Sequence, residues 1–124
     1  MDIDALVTRA DGGRTDSFEW GEIRWLDGDV ITAGEGLTAG RVTFDPGAGN
    51  ATHRHPNCEE FLYLVSGALA HSVGDEATEL SHGDLLHIPR GEPHDARNLS
   101  ADETAVALVA YDTDDRAVEF VDEA

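Results

Sequence analysis

Two histidines separated by one residue, His53 and His55, are followed by Glu60 and, well downstream, by His94 in a turn-rich stretch. In an extended strand, residues two apart project from the same face. His53 and His55 can therefore direct both imidazoles at one point, and a carboxylate from the next strand can complete the set. Three imidazoles and one carboxylate converging inside β-structure form the donor set of a divalent metal site.

The spacing around these residues is as informative as their identity. Gly47 is followed after five residues by His53, then after one by His55, after four by Glu60 and after six by Gly67. A second block runs Gly83, five residues, Pro89, one, Gly91, two, His94, three, Asn98. The glycines suit tight turns that need a positive φ, and Pro89 suits a strand end. Over the whole of both blocks, about 52 residues from Gly47 to Asn98, the chain resembles the cupin superfamily, and every position of its two motifs is matched. The resemblance implies an all-β fold, a double-stranded β-helix or jelly-roll barrel, and a small single-domain metal-binding member. It also implies that His53, His55, Glu60 and His94 are the metal ligands and that Asn98 is a structural or supporting residue.

Neighbouring residues compete for these roles. Glu59 lies next to Glu60 but faces the other way in a strand, and only Glu60 keeps the family spacing. His71, His82 and His87 match no motif position and are expected at the surface or in strand packing, with His87 a candidate for the pocket wall. Leu62 and Leu64 share the parity of Glu60, which predicts an apolar pocket floor. Cys58 shares it too and is expected as a small buried packing residue. Of Arg41 and Phe44, in the strand before the first ligands, one is expected to face the pocket. Arg41 there would suit a carboxylate-bearing substrate. Trp20 and Trp25 are expected to fill the core or an interface.

The elements that must position these groups are short and numerous. Asp27-Gly28-Asp29 reads as a hairpin turn between strands Glu22–Leu26 and Val30–Ala33. Leu37–Phe44 alternates as a strand and ends at Asp45-Pro46-Gly47. Further strands are expected at Ala51–His55, Glu59–Val65, Ala68–Val73, Ala77–Leu80, Asp84–Ile88, Pro93–Asn98, Thr104–Tyr111 and Ala117–Val121, with one helical turn at Ile3–Val7 in a polar leader of residues 1–16. About ten short strands with regular turns mean a sandwich or small barrel. Residues 1–21 read as an N-terminal segment and 22–124 as the barrel, with Glu22–Leu26 the strand that packs or exchanges. The family resemblance implies a homodimer.

The charge is the other loud feature. Of 124 residues, 26 are acidic and eight basic, giving a net charge of −18, and every basic residue is arginine. Such a density repels itself in dilute buffer, whereas in molar salt the Debye length falls to about 3 Å. This predicts a cytoplasmic protein of a salt-accumulating organism, a halophilic archaeon. The same charge argues against nucleic acid or anionic membrane as partner. No apolar run approaches the roughly 20 residues of a membrane span. The acidic Met1–Asp4 start carries no secretory signal pattern, and the lone Cys58 fits a reducing compartment.

The expected cofactor is one divalent transition metal per chain, iron, manganese, nickel or zinc. The expected partner is a small-molecule substrate. The favoured activity is a metal-dependent oxidoreductase of dioxygenase type, with a Lewis-acid isomerase or lyase and a non-enzymatic small-molecule or metal binder as alternatives.

Overall fold

A computed structural model describes residues 2–26 and 36–121. The expected turn at Asp27-Gly28-Asp29 and strand at Val30–Ala33 lie outside them. The described chain is built from eleven strands and one short 3₁₀ turn, Ile3–Leu6. One antiparallel sheet has the order β1 (Arg14–Phe18), β2 (Gly21–Trp25), β3 (Thr38–Phe44), β10 (Ala105–Tyr111), β5 (Glu60–Ser66), β8 (Leu85–Ile88). The other has the order β11 (Glu119–Phe120), β4 (His53–Arg54), β9 (His94–Asn98), β6 (Ala68–Val73), β7 (Glu76–Ser81). From β3 onward successive strands switch between the two sheets, apart from the β6–β7 hairpin, the jelly-roll arrangement expected from the sequence.

Strand β1 went unrecognised in the sequence because Arg14-Thr15-Asp16-Ser17-Phe18 has no apolar alternation. It is an edge strand, mostly exposed, held by pairing with β2 of its own chain. The first ligand strand is also shorter than expected, only His53–Arg54, because Pro56 and the turn after it end the pairing.

The two inner faces form one core, and its composition changes along the strands. On β5 the inward residues run Glu60, Leu62, Leu64, each buried, while Phe61, Tyr63 and Val65 point out. On β10 they run Tyr111, Val109, Ala107, Ala105, in register with β5 as Tyr111–Glu60, Val109–Leu62 and Ala107–Leu64. At the far end Leu64, Leu69 and Ala105 are completely buried, a close-packed apolar floor in which trimming a leucine to alanine costs about 2–5 kcal/mol. At the near end the buried residues become polar: Glu60, Tyr111, His55 and His94.

Gly67 shows why the motif glycine is needed where β5 turns into β6. Its φ is +89°, and a Cβ there would meet Ala105 at 2.9 Å. At the near end Gly91, φ +77°, donates its N–H to the His55 carbonyl at 2.9 Å, tying the turn before β9 to the first ligand segment.

Candidate metal centre

Three histidines meet at the near end of the barrel, two from β4 and the residue after it and one from β9. His53 and His94 are paired directly across β4 and β9, and their rings lie 4.3 Å apart. His55, two residues on, turns its ring to within 5.1 Å of both. Their ligating nitrogens all lie within 4.8 Å of one another.

The tautomer of each ring is set by the backbone. Nδ1 of His53 donates to the Ala51 carbonyl at 2.8 Å, that of His55 to Ala117 at 2.9 Å and that of His94 to Glu92 at 2.9 Å. A carbonyl only accepts, so Nδ1 carries the proton in every case and each Nε2 presents a lone pair inward. Glu60 comes from the other sheet and sets Oε1 at 3.2 Å from His55 Nε2 and 3.3 Å from His94 Nε2.

These contacts are the decisive feature. His55, Glu60 and His94 are at most 5% exposed, and His55 Nε2, Glu60 Oε1 and His94 Nε2 lack hydrogen-bond partners. Buried acceptors facing one another with no donor between them are costly. A shared cation removes that cost, and the donor set of imidazole nitrogen and carboxylate oxygen suits a divalent transition metal. In its absence a proton is the only substitute.

The titration behaviour shows the same strain. Burial works against the charge of Glu60, yet the adjacent His55 and His94 outweigh it and hold the carboxyl down at about 2. Burial disfavours an imidazolium at His94, but the carboxylate of Glu60 beside it reverses this and raises its pKa. His53 has less help from Glu60, and burial dominates, taking it down to about 4. At neutral pH Glu60 is therefore an anion and His53 a neutral donor.

The site opens into a cavity of about 720 Å³. Leu62 forms part of its wall, as its parity predicts, and Leu64 packs in the core beneath. Phe44 faces this cavity while Arg41 points outward and is exposed, three residues apart and so on opposite faces. The carboxylate-binding part considered for Arg41 is thereby ruled out. His87 is also exposed, paired with Glu59 at 2.7 Å on the outside of the barrel, and does not reach the cavity. His82 is exposed. Cys58 is buried in the core, where desolvation raises its thiol pKa.

His71 belongs to the cavity wall, not to the surface. Buried and stacked at 6.0 Å on His94, it donates from Nδ1 to the Ser72 carbonyl at 3.0 Å. Its alternation with Leu69 in β6 was the available signal. Trp25 is in the core, its Nε1–H on Asp16 at 2.9 Å, whereas Trp20 lines the cavity mouth, stacked on Phe18 at 4.9 Å. Asn98 is structural: its amide donates to the carbonyls of Phe44 and Glu103, pinning two loops far from the triad.

Two further cavity residues, Tyr111 and Arg116, had no sequence signal beyond parity. Burial, with the charge of Glu60, lifts the Tyr111 phenol well above its ordinary pKa, so it stays protonated. Arg116 lies in the segment 112–118, which crosses the near end of the barrel. That segment is strapped down by Asn57, whose side chain donates to Asp115 and accepts from the Ala117 N–H, at 2.7 and 3.0 Å.

Residues 40–111 match the Cupin domain family, more than half of the chain, and the protein belongs to that family. It is 32% identical over 59 residues to tetracenomycin polyketide synthase protein TcmJ of Streptomyces glaucescens, a match covering 48% of this chain and 40% of that protein. It is 31% identical over 85 residues to a probable germin-like protein, subfamily 2 member 5, of Arabidopsis thaliana, covering 63% and 38%. The chain thus spans about two fifths of these curated relatives. Among solved structures, the oxalate decarboxylase of Lactobacillus farciminis in its formate complex superposes with a TM-score of 0.78 at 23% identity, over 87% of this chain and 33% of that one. The oxalate decarboxylase of Bacillus subtilis, a protein with Mn(II) centres, gives 0.77 at 19% identity, over 98% and 37%. At such identities the likeness concerns the fold.

Proposed function

We propose that this cupin is a metal-dependent enzyme in which His53, His55, Glu60 and His94 hold one divalent transition ion that meets a small organic substrate in the cavity. The observation that carries this reading is the convergence of buried, donor-free lone pairs from Glu60 and the inward-facing Nε2 atoms. An ion there supplies redox chemistry if it is iron or manganese, and Lewis-acid chemistry if it is nickel or zinc. The Mn(II) centres of the B. subtilis neighbour support a transition metal.

The chain's own residues supply the rest. The backbone carbonyls of Ala51, Ala117 and Glu92 fix the rings, so no proton has to move on Nδ1 when a cation enters. Glu60 brings the negative charge that offsets the ion. Phe44, Trp20, Ile23 and Val42 give the cavity apolar walls that exclude water around an organic molecule. Beside these walls, His71 and Tyr111 add one imidazole and one neutral phenol to the lining.

An oxidoreductase of dioxygenase type is the activity we favour. Elemental analysis of protein purified without chelators should find about one transition ion per chain, and oxygen uptake should follow with a small thiol, diketone or phenol. Metal without uptake would favour an isomerase or lyase, and neither would leave a binding module. The same reading places the protein in the cytoplasm of a salt-accumulating organism; folding that is complete without KCl would overturn it.

We also propose a homodimer through the outer face of the six-stranded sheet. There Leu108, Tyr63 and Leu85 form one cross-strand row, flanked by Phe61 and Val65, all at least 40% exposed. No carboxylate points outward from β3, β10, β5 or β8, unusual in a chain with 26 acidic residues. Such an apolar sheet face normally meets a partner.

A further inference from the structure

Arg116 is the feature of the cavity that the metal-centred reading does not use. It lines the cavity wall and lays its guanidinium over two aromatic rings, 4.7 Å from Trp25 and 5.2 Å from Tyr111. Tyr111 is the bridge to the histidines, its ring packing edge-on against His55 at 5.1 Å. Acidic residues outnumber basic ones by 26 to eight, and three of the other arginines, Arg9, Arg14 and Arg54, take carboxylate partners, whereas Arg41 and Arg90, without a carboxylate partner among the described residues, are exposed on the outside. Among the described residues Arg116 has none, nor a hydrogen bond. The rings of Trp25 and Tyr111 hold the guanidinium at this wall of the cavity, and among the described residues no acceptor takes its donors.

From this placement we infer that Arg116 is the specificity determinant of the cavity, binding the carboxylate of a substrate that is a monoanion with an apolar body. The inference rests on reading the cavity as the substrate pocket. A guanidinium held in place by two aromatic rings is preorganised for the two-pronged contact a carboxylate offers. One wall of the cavity, formed by Phe18, Trp20, Ile23, Val42 and Phe44, is apolar. It rewards an aryl or branched alkyl group, and the other arginine of the lining, Arg97, is exposed and donates to the Gly47 carbonyl at 3.1 Å. The overall negative charge does not forbid an anion here. In molar salt its reach is cut to about 3 Å, while a direct contact with Arg116 is made inside that distance.

Binding to metal-free protein tests this without involving turnover. Trp25, under the guanidinium, and Trp20, at the mouth, provide the fluorescence signal. Phenylacetate should bind about ten- to a hundredfold more tightly than the uncharged phenylacetamide, the ratio expected for a charged hydrogen-bonded contact, and more tightly than oxalate. Arg116→Gln should bring phenylacetate to the level of the amide, and Arg116→Lys should restore part of the preference. Equal binding of acid and amide by the unaltered protein, tighter binding of oxalate, or a preference that survives Arg116→Gln would each overturn the inference. The unaltered protein alone supplies the first two results, so a variant that folds poorly does not protect the idea. Metal content is measured separately on protein purified without chelators; absence of a transition metal there, with the Arg116-dependent preference kept, would refute the metal reading and leave this one standing.

Discussion

Replacing Glu60 by glutamine separates the charge of this carboxylate from its shape. The native side chain is 5% exposed and held by His55 and His94, which bring its pKa from 4.5 to about 2 despite burial. At 1.36 kcal/mol for each tenfold change in proton affinity, this corresponds to roughly 3 kcal/mol of stability at neutral pH in the metal-free protein. The sum belongs to Glu60 and its histidine partners together and is counted once. An amide of equal volume leaves no cavity and donates to one imidazole, recovering about 1 kcal/mol. The expected net loss at about pH 6 is therefore roughly 2 kcal/mol.

The sign of the pH dependence makes the test specific. A carboxyl depressed in the folded state contributes stability above its unfolded pKa and loses it as pH falls toward the folded value. Here that window runs from 4.5 down to about 2. The gap between native protein and Glu60→Gln should narrow by about 1–1.5 kcal/mol between roughly pH 6 and pH 3.5. Urea unfolding of chelator-treated protein at fixed KCl, followed by tryptophan fluorescence, measures both numbers, and the other carboxylates cancel in the difference. A variant as stable as the native chain at about pH 6, or a gap that does not change with pH, would refute the electrostatic account of the site.

Other expectations follow from the same geometry. His94 has its pKa raised by Glu60, so its protonated form stabilises the metal-free fold below 6.5, and this contribution fades as pH climbs through the raised value. A cation must displace that proton, so divalent-metal affinity measured by calorimetry should increase between about pH 6 and pH 8.5, with proton release seen as a dependence on buffer ionisation enthalpy; a flat profile would contradict the assignment of His94. Asn57→Ala should free the segment that supplies the Ala117 carbonyl to His55 and weaken metal binding about 10–100-fold, as loss of a supporting contact typically does, with the fold retained by circular dichroism; unchanged affinity would mean the segment holds without Asn57. Leu108→Glu, in the centre of the outer apolar row, should convert a dimer to a monomer by light scattering without altering metal content; a persistent dimer would place the interface elsewhere.

The sequence made the barrel and the gathering of His53, His55, Glu60 and His94 legible for a physical reason. Turn glycines and strand parity are local properties, and a two-residue period determines which side chains face inward. The same rule separated Glu60 from Glu59 and put Leu62 and Leu64 on the cavity side. It failed where local pattern is weak or position depends on distant chain. Arg14–Phe18 is a strand only because β2 offers an edge. His71 carries an alternation with Leu69 that was legible, but no motif drew attention to it. Arg116 lies in no extended strand at all, and its place follows from Asn57 and the rings of Trp25 and Tyr111, residues far apart in sequence.

That last dependence shapes the behaviour of the whole site. The carbonyls that orient the three rings come from Ala51, Glu92 and Ala117, each outside the strand that bears its histidine or in another segment entirely. No single hairpin contains the donor set, so the lone pairs converge only after the two sheets have closed, and the ring of His55 is oriented only once residues 112–118 have been laid across them. A cation binding there favours the closed chain over every partly open one, and its affinity is paid back as stability in proportion to its concentration above the dissociation constant. Arg116 rides on the same segment as Ala117. The proposed metal and the proposed substrate anion therefore draw on one local closure, and binding of either should make the ordering required by the other less costly. Metal-bound protein should accordingly show slower amide exchange from 112 to 118 than metal-free protein, while the apolar floor around Leu64 and Leu69 changes little; equal slowing at both places would mean global stabilisation in place of a coupled strap.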